Sequence, residues 1–80
     1  MHPNPVASRA MIGYYLPKAT TVNVSITDTY GRTVQVLSDK SYSAGNHTIF
    51  WDVENLNPGI YLVTIKTEGG FISKRVVVAK

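Results

Sequence analysis

Glycine and proline interrupt this 80-residue chain so often that no long helix fits between them. The intervening segments are rich in β-branched residues, with ten valines, six isoleucines and eight threonines among the 80. Such side chains are stiff at χ1 and fit a pleated surface, so they favour strands. In residues 21–27, Val22, Val24 and Ile26 alternate with polar residues. This alternation predicts a strand with one buried and one exposed face, as in an antiparallel sheet.

Turn residues separate several segments of this kind along the whole chain. The predicted strands are residues 10–16, 21–27, a strand through Val34 and Val36, and residues 47–53, 60–67 and 71–79. A short seventh strand is predicted at Val6 and Ala7, next to Pro5, because an edge strand tolerates proline. The sequence therefore predicts an all-β fold, an immunoglobulin-like antiparallel β-sandwich of six or seven strands.

The alternation within each segment also predicts which side chains fill the core. The predicted inward residues are Ile12, Tyr14, Leu16, Val22, Val24, Ile26, Val34, Val36, Ile49, Trp51, Tyr61, Val63 and Ile65. The uninterrupted valines of residues 76–78 have no assignable inward face. Gly31, Gly45 and Gly59 occupy predicted turns, where we expect a positive φ, with Gly59 in the left-handed third position after Pro58.

Size and charge narrow the possible functions. The chain has no cysteine, so neither a disulfide nor a thiolate metal site can stabilise its small core. Its net charge of +3 comes from scattered residues, whereas a nucleic-acid-binding domain usually concentrates cations on one face. We therefore expect no nucleic-acid partner. No apolar run approaches the ~18 residues that a membrane-spanning helix needs.

Reactive side chains are few. His47 begins a predicted strand and is interpreted as a strand-end residue rather than a catalytic base. Asp52 and Glu54 have the same parity, but no regularly spaced oxygen ligands accompany them as a calcium site requires. Asp28 and Asp52 end strands, where a carboxylate commonly accepts hydrogen bonds from turn N–H groups. The sequence predicts neither an enzyme nor a bound cofactor or metal.

Aromatic residues allow a different kind of site. Trp51 and Tyr61 have the parity of aliphatic neighbours and are predicted to lie in the core. Tyr15, Tyr30 and Tyr42 are predicted at the surface, where they could stack on sugar rings. A passive structural or carbohydrate-binding module, immunoglobulin-like or fibronectin-like, is therefore one hypothesis for an extracellular protein.

Several residues occur in an order that carries more information than any one of them. They are Pro3-Asn4-Pro5, Ile12, Tyr14, Leu16-Pro17, Asp28, Gly31-Arg32, Val34, Ala44-Gly45, His47, Trp51-Asp52, Leu56, Gly59, Tyr61, Lys74 and Lys80. Across residues 3–80, this order resembles the C-terminal sorting domain (type A, or Por) of cargo proteins exported by the type IX secretion system of Bacteroidetes. Met1 and His2 are interpreted as the remnant of an expression tag.

The resemblance implies a secretion signal that follows an unrelated N-terminal cargo domain. Such a domain passes through the periplasm, is recognised by the outer-membrane translocon and its shuttle barrel, and reaches the cell surface or the medium. A sortase-like cysteine protease then commonly removes it, here near or before Pro3. The valines of residues 76–78 depart from a strictly alternating terminal strand.

Two groups of candidate residues follow from these observations. The fold-specifying candidates are Pro5, Gly31, Arg32, Gly45, Trp51, Gly59 and Tyr61. The recognition candidates are Lys74, Arg75 and Lys80, which we expect to cluster on the last strand. A terminal strand is also a natural place for pairing with the sheet edge of a partner.

Overall fold

The computed structural model describes residues 8–79, which form six strands and no helix. The strands are β1 (Arg9–Leu16), β2 (Thr20–Asp28), β3 (Thr33–Tyr42), β4 (Gly45–Asp52), β5 (Gly59–Thr67) and β6 (Gly70–Val78). The prediction of an all-β chain with six strands is confirmed. The predicted strand at Val6 and Ala7 lies outside the described residues.

The strands form two antiparallel sheets of unequal width. One sheet contains only β1 and β4, and the other has the order β3-β2-β5-β6. Two of the pairs, β2 with β3 and β5 with β6, join consecutive strands as hairpins. The remaining pairs, β1 with β4 and β2 with β5, join segments that are far apart in the sequence. All pairs are antiparallel, as the alternation of the sequence indicates.

The core lies between the two sheets and takes side chains from both. The buried apolar residues are Ala10, Ile12, Leu16, Val22, Val24, Ile26, Trp51, Val53, Tyr61, Val63, Val76 and Val78. Trp51 packs edge-on against Tyr61, with ring centroids 6.0 Å apart. The prediction that these two aromatic residues lie in the core is confirmed. Tyr14, Ile49 and Ile65 are half-buried at the rim of the core.

The predicted inward face of β3 is wrong. Val34 is 38% exposed and Val36 is 53% exposed. A register shift between Val24 and Ser25 places Val36 opposite Ser25, on the outer face of the sheet. In addition, β3 is an edge strand of the wider sheet. A two-stranded sheet cannot cover a four-stranded one completely, and β3 therefore contributes no fully buried side chain.

The structure assigns an inward face to the run of valines in β6. Val76 and Val78 are 0% and 1% exposed, and Val77 between them is half-buried. Val76 lies opposite the buried Tyr61, and Val78 lies opposite Gly59. The last part of β6 is thus built into the core, whereas residues 70–75 of the same strand are exposed.

The three glycines predicted at positive φ all have it. Gly31 has a φ of 83° in the turn between β2 and β3, and Gly45 has a φ of 117°. Gly59 has a φ of 157° and is already the first residue of β5. The turn before β5 instead closes at Leu56, whose N–H donates to the carbonyl of Val53 at 3.0 Å. Gly59 therefore does not have the predicted left-handed conformation, near +80°, of a turn's third residue.

Residues 8–79 contain no helix with the length and apolar character needed to cross a bilayer.

Candidate recognition surface

The last strand forms one edge of the four-stranded sheet. Within residues 8–79, β6 pairs with β5 on one side and with no strand on the other. Along residues 70–75 of this edge, the backbone N–H and C=O groups that point away from β5 can pair with a further strand. Val76 and Val78 fix the end of β6 in the core, so this edge is held in position. An edge strand of this kind can bind an extended segment through main-chain hydrogen bonds.

The cations of β6 do not form a single patch. Lys74 lies opposite Val63, on the face that points toward the other sheet, and Arg75 lies opposite Leu62, on the outer face. Both side chains are exposed. The expected cluster is therefore divided by the pleat of the strand, and one flat partner surface cannot contact both cations from one face. Lys80 lies outside the described residues.

An apolar groove, which the sequence did not predict, lies beside Lys74. A cavity of about 300 Å³ is lined by residues of β1, including Tyr15, and by Ile65, Ile72 and Lys74 from β5 and β6. A second cavity of about 340 Å³ adjoins it and reaches Phe71. Ile72 is 56% exposed and Phe71 is 73% exposed. Phe71 and Ile72 are consecutive strand residues and therefore point to opposite faces of β6. This apolar pair is the signal in the sequence that both faces of β6 carry apolar surface.

Two fold-specifying candidates, Gly31 and Arg32, lie in the turn between β2 and β3. One carboxylate oxygen of Asp28 accepts hydrogen bonds from the N–H groups of Tyr30 (2.9 Å) and Arg32 (3.0 Å). The other accepts one from Arg32 Nε at 2.8 Å. Slight desolvation raises the pKa of Asp28, but these hydrogen bonds outweigh it and hold the pKa below its ordinary value. The predicted capping role of Asp28 is confirmed, and Gly31 supplies the positive φ between the two donors.

A cluster of three rings forms around the start of β4. His47 stacks on Tyr14 with ring centroids 5.6 Å apart and meets the edge of Tyr42 at 4.9 Å. His47 Nε2 lies 2.7 Å from the carbonyl oxygen of Ser43, and His47 is the half-buried third residue of β4. The prediction that Tyr42 lies at the surface is wrong. Its ring is half-buried because β1 and β4 bring Tyr14 and His47 against it.

Burial also changes the acidity of Tyr14 in this cluster. Desolvation of its hydroxyl raises the pKa of Tyr14 well above its ordinary value. Within the described part of the chain, this hydroxyl and Trp51 Nε1 are buried without a hydrogen-bond partner. The hydroxyl therefore remains neutral at physiological pH. These ring contacts give the cluster a packing role rather than the geometry of an acid–base site.

Tyr61, an aromatic residue among the fold-specifying candidates, holds the loop before β5. The hydroxyl of Tyr61 donates to the carbonyl oxygen of Asn57 at 2.7 Å, while the ring of Tyr61 packs on Trp51. Gly45 begins β4 opposite Leu16 and has a φ of 117°. These contacts show where the fold-specifying candidates lie; that they specify the fold stays a prediction. Pro5 lies outside the described residues.

The acidic residues do not converge on a metal. Asp52 accepts a hydrogen bond from the N–H of Glu54 at 3.0 Å, so its predicted capping role is confirmed. Among residues 8–79, no three histidine or acidic side chains lie close enough together to hold a metal ion. Tyr15 and Tyr30 are 66% and 84% exposed, as predicted, and they lie on different strands and turns.

Comparison with known proteins gives one match. No curated protein and no solved structure matches this chain. The model of one protein family, described as the secretion system C-terminal sorting domain, matches residues 1–79. A match over nearly the whole chain shows the family, and the six-stranded sandwich with its exposed terminal strand agrees with the sequence resemblance. The chain therefore belongs to the family of secretion system C-terminal sorting domains, the Por secretion tail family.

Proposed function

We propose that this chain is the type IX secretion signal of a cargo protein. The single observation that carries the proposal is the family match over residues 1–79. In this function the domain follows a cargo domain, crosses the periplasm and is recognised at the outer membrane by the translocon and its shuttle barrel. The cargo then reaches the cell surface or the medium. The family is one of sorting signals, so the domain acts as a substrate of export and processing rather than as an enzyme.

The terminal strand is the part that we propose the secretion machinery recognises. It is an edge strand, it carries Lys74 and Arg75 exposed, and it leads directly toward Lys80. The alternative role of such cations is to prevent unwanted edge-to-edge pairing. Replacing an exposed lysine usually leaves the fold intact, so the effect of such a substitution on export can be measured separately from its effect on folding.

Removal of the domain is the final step of this proposal. A sortase-like cysteine protease would cleave near or before Pro3, in the segment that joins the domain to its cargo. Pro3 and Pro5 favour extended backbone at the residues before them, which suits a protease that binds its substrate in an extended form. The N-terminal sequence of the released domain identifies the cleavage site.

The experiment fuses residues 3–80 behind a periplasmic reporter in a bacterium with a type IX system. Lys74→Ala combined with Lys80→Ala should reduce export while the melting temperature stays near that of the unaltered domain. Lys18→Ala combined with Lys40→Ala removes two lysines elsewhere in the chain and serves as the matched control. Deletion of residues 71–80 is a poor test, because it also removes Val76 and Val78 from the core.

Three outcomes separate the possibilities. Loss of export in the Lys74/Lys80 variant alone supports recognition of the terminal strand. Full export of that variant would show that the machinery does not recognise these lysines, and it would not contradict the sorting function. A reporter that residues 3–80 cannot export at all would contradict the sorting function and favour a passive extracellular module.

A further inference from the structure

The groove between β1 and β6 has the properties of a binding site for an extended peptide. We propose that it binds a peptide strand with alternating apolar side chains and one carboxylate, paired to the free edge of β1. The inference goes beyond the sorting function, because it concerns binding by the isolated domain and can fail or succeed independently of export. It rests on the free edge, the apolar floor and the single cation of the groove.

The first observation is the missing neighbour of β1. Within the described residues, β1 pairs only with β4, and its other side faces the groove. The wall of the groove is formed by Ile12, Tyr14 and Tyr15 of β1. Its floor belongs to the inner faces of β5 and β6, which the two-stranded sheet does not cover. A third strand beside β1 would extend that sheet and lie over β6, in the position where the sandwich is incomplete.

The second observation is apolar surface on the floor. Ile72 has the inward parity of Val76, yet it is 56% exposed because nothing in the described chain lies above it. Ile65 and Val63, its neighbours on β5, also line the cavity. With the adjoining cavity of about 340 Å³, the groove continues toward Phe71. An added strand would contribute every second side chain to this floor, so apolar residues are required at alternate positions.

The third observation is charge. Lys74 is the only charged side chain that lines either cavity of the groove in residues 8–79. The one ion pair in that range joins Arg32 to Asp28, so Lys74 has no acidic partner there. Lys74 and Ile72 are two residues apart on the same face of β6. A carboxylate two positions from an apolar residue on the added strand would therefore meet the ammonium group while its neighbour covers Ile72.

A second copy of this chain is a poorer occupant. Neither strand that borders the groove contains an acidic residue, and β1 carries Arg9 while β6 carries Lys74 and Arg75. Pairing β1 with β1 or β6 with β6 across a two-fold axis would bring only cations together. The net charge of +3 opposes such an association further. The charges thus favour an acidic partner.

The test measures binding of a labelled, capped seven-residue peptide to the 80-residue chain by fluorescence anisotropy. Threonine fills its odd positions, and valine, glutamate and valine fill the even ones, so that the three share a face. Glutamine in place of the glutamate should weaken binding about threefold to fivefold, the range of a half-exposed ion pair. In Lys74→Gln the same peptide change should have almost no effect, which assigns the loss to the pair.

Two further comparisons test the floor and the edge. Ile72→Thr should weaken binding about fivefold, since it removes part of the apolar floor. The matched control is Ile60→Thr, an exposed isoleucine on the outer face of β5, and binding to it should be unchanged. Methylation of the alternate peptide amides that face β1 should abolish binding, whereas methylation of the others should not.

Other results would overturn the proposal. A peptide in which valine and glutamate fall on opposite faces should bind much more weakly, and equal binding would exclude a strand in the groove. Dimerisation of the domain that displaces the peptide would assign the groove to a second copy. Binding that occurs only after deletion of residues 1–7 would assign it to the chain's own beginning. Unchanged affinity for the peptide in both Lys74→Gln and Ile72→Thr would show that the peptide does not bind in this groove.

Discussion

Gly31 and Gly59 both hold the backbone in a conformation that favours glycine. A Cβ at either position would meet no atom within 4 Å, so crowding does not penalise a side chain there. Their φ angles of 83° and 157° do, because residues with a side chain rarely adopt either of them. We expect Gly31→Val and Gly59→Val each to lower the free energy of unfolding by more than about 1 kcal/mol. Urea denaturation measures both losses, and unchanged stability in either variant would contradict the strain at that position.

The carboxylate of Asp28 gives the domain a dependence of stability on pH. Its hydrogen bonds to Arg32 and Tyr30 hold the pKa below the ordinary value, so the folded state binds this proton more weakly than the unfolded state. The resulting stability is present above the unfolded pKa and is lost as the pH falls through the folded pKa. We expect the melting temperature to drop on acidification below about pH 4.

Asp28→Asn provides the control for that effect. An asparagine can still accept hydrogen bonds from the turn but does not titrate. The variant should be less stable than the unaltered domain at neutral pH and should lose less stability between neutral and acidic conditions. A parallel loss in both proteins would show that groups other than Asp28 control the acid sensitivity.

The two edge strands of the wider sheet differ in how they meet the core. Val76 in β6 is fully buried, whereas Val36 in β3 is 53% exposed. We expect Val76→Ala to lower the free energy of unfolding by about 1–3 kcal/mol, from lost burial and a residual cavity. Val36→Ala is the matched substitution and should change it by less than about 0.5 kcal/mol. Chemical denaturation with an unchanged m-value is the measurement, and a larger loss for Val36→Ala would contradict the assigned faces.

Strand positions could be predicted from the sequence because alternation and turn chemistry are local signals. β1, β2, β4 and β5 have the predicted faces, and the pairings of β1 with β4 and of β2 with β5 have a continuous register. For β3, the bulge opposite Val24 reversed the parity, and an exposed edge removed the need for apolar residues. In β6, three consecutive valines show no alternation of apolar and polar residues. Only the pairing of Val76 with Tyr61 in the structure identifies the inward face.

The surface of β6 was less predictable than its position. Lys74 and Arg75 are neighbours in sequence, but the pleat directs them to opposite faces, so sequence proximity did not imply a patch. The groove beside Lys74 exists because two strands face four. That inequality depends on which strands pair, and the pairings of β1 with β4 and β2 with β5 leave no local signal in the sequence. Recognition of the family supplied the function that spacing alone did not.

At the scale of the whole molecule, each of the two sheets depends on one long-range strand pairing. β1 pairs with β4 and β2 pairs with β5, so neither sheet forms from neighbouring segments alone. Val76 and Val78 at the end of β6 then complete the core. The strand that we propose for recognition, β6, is therefore also required for a complete core. A sorting machinery that binds β6 in place binds a domain whose core is complete.

This topology predicts slow folding for a domain of only 80 residues. Distant strands must meet before their contacts stabilise the chain, so we expect refolding in milliseconds to seconds rather than microseconds. Trp51, the single tryptophan, is fully buried against Tyr61 and reports the process by fluorescence in a stopped-flow experiment. A minor phase of tens of seconds from proline isomerisation should disappear when unfolding is brief, in a double-jump experiment. Refolding complete within about 100 μs would contradict the requirement for long-range pairing and favour a fold built from local hairpins.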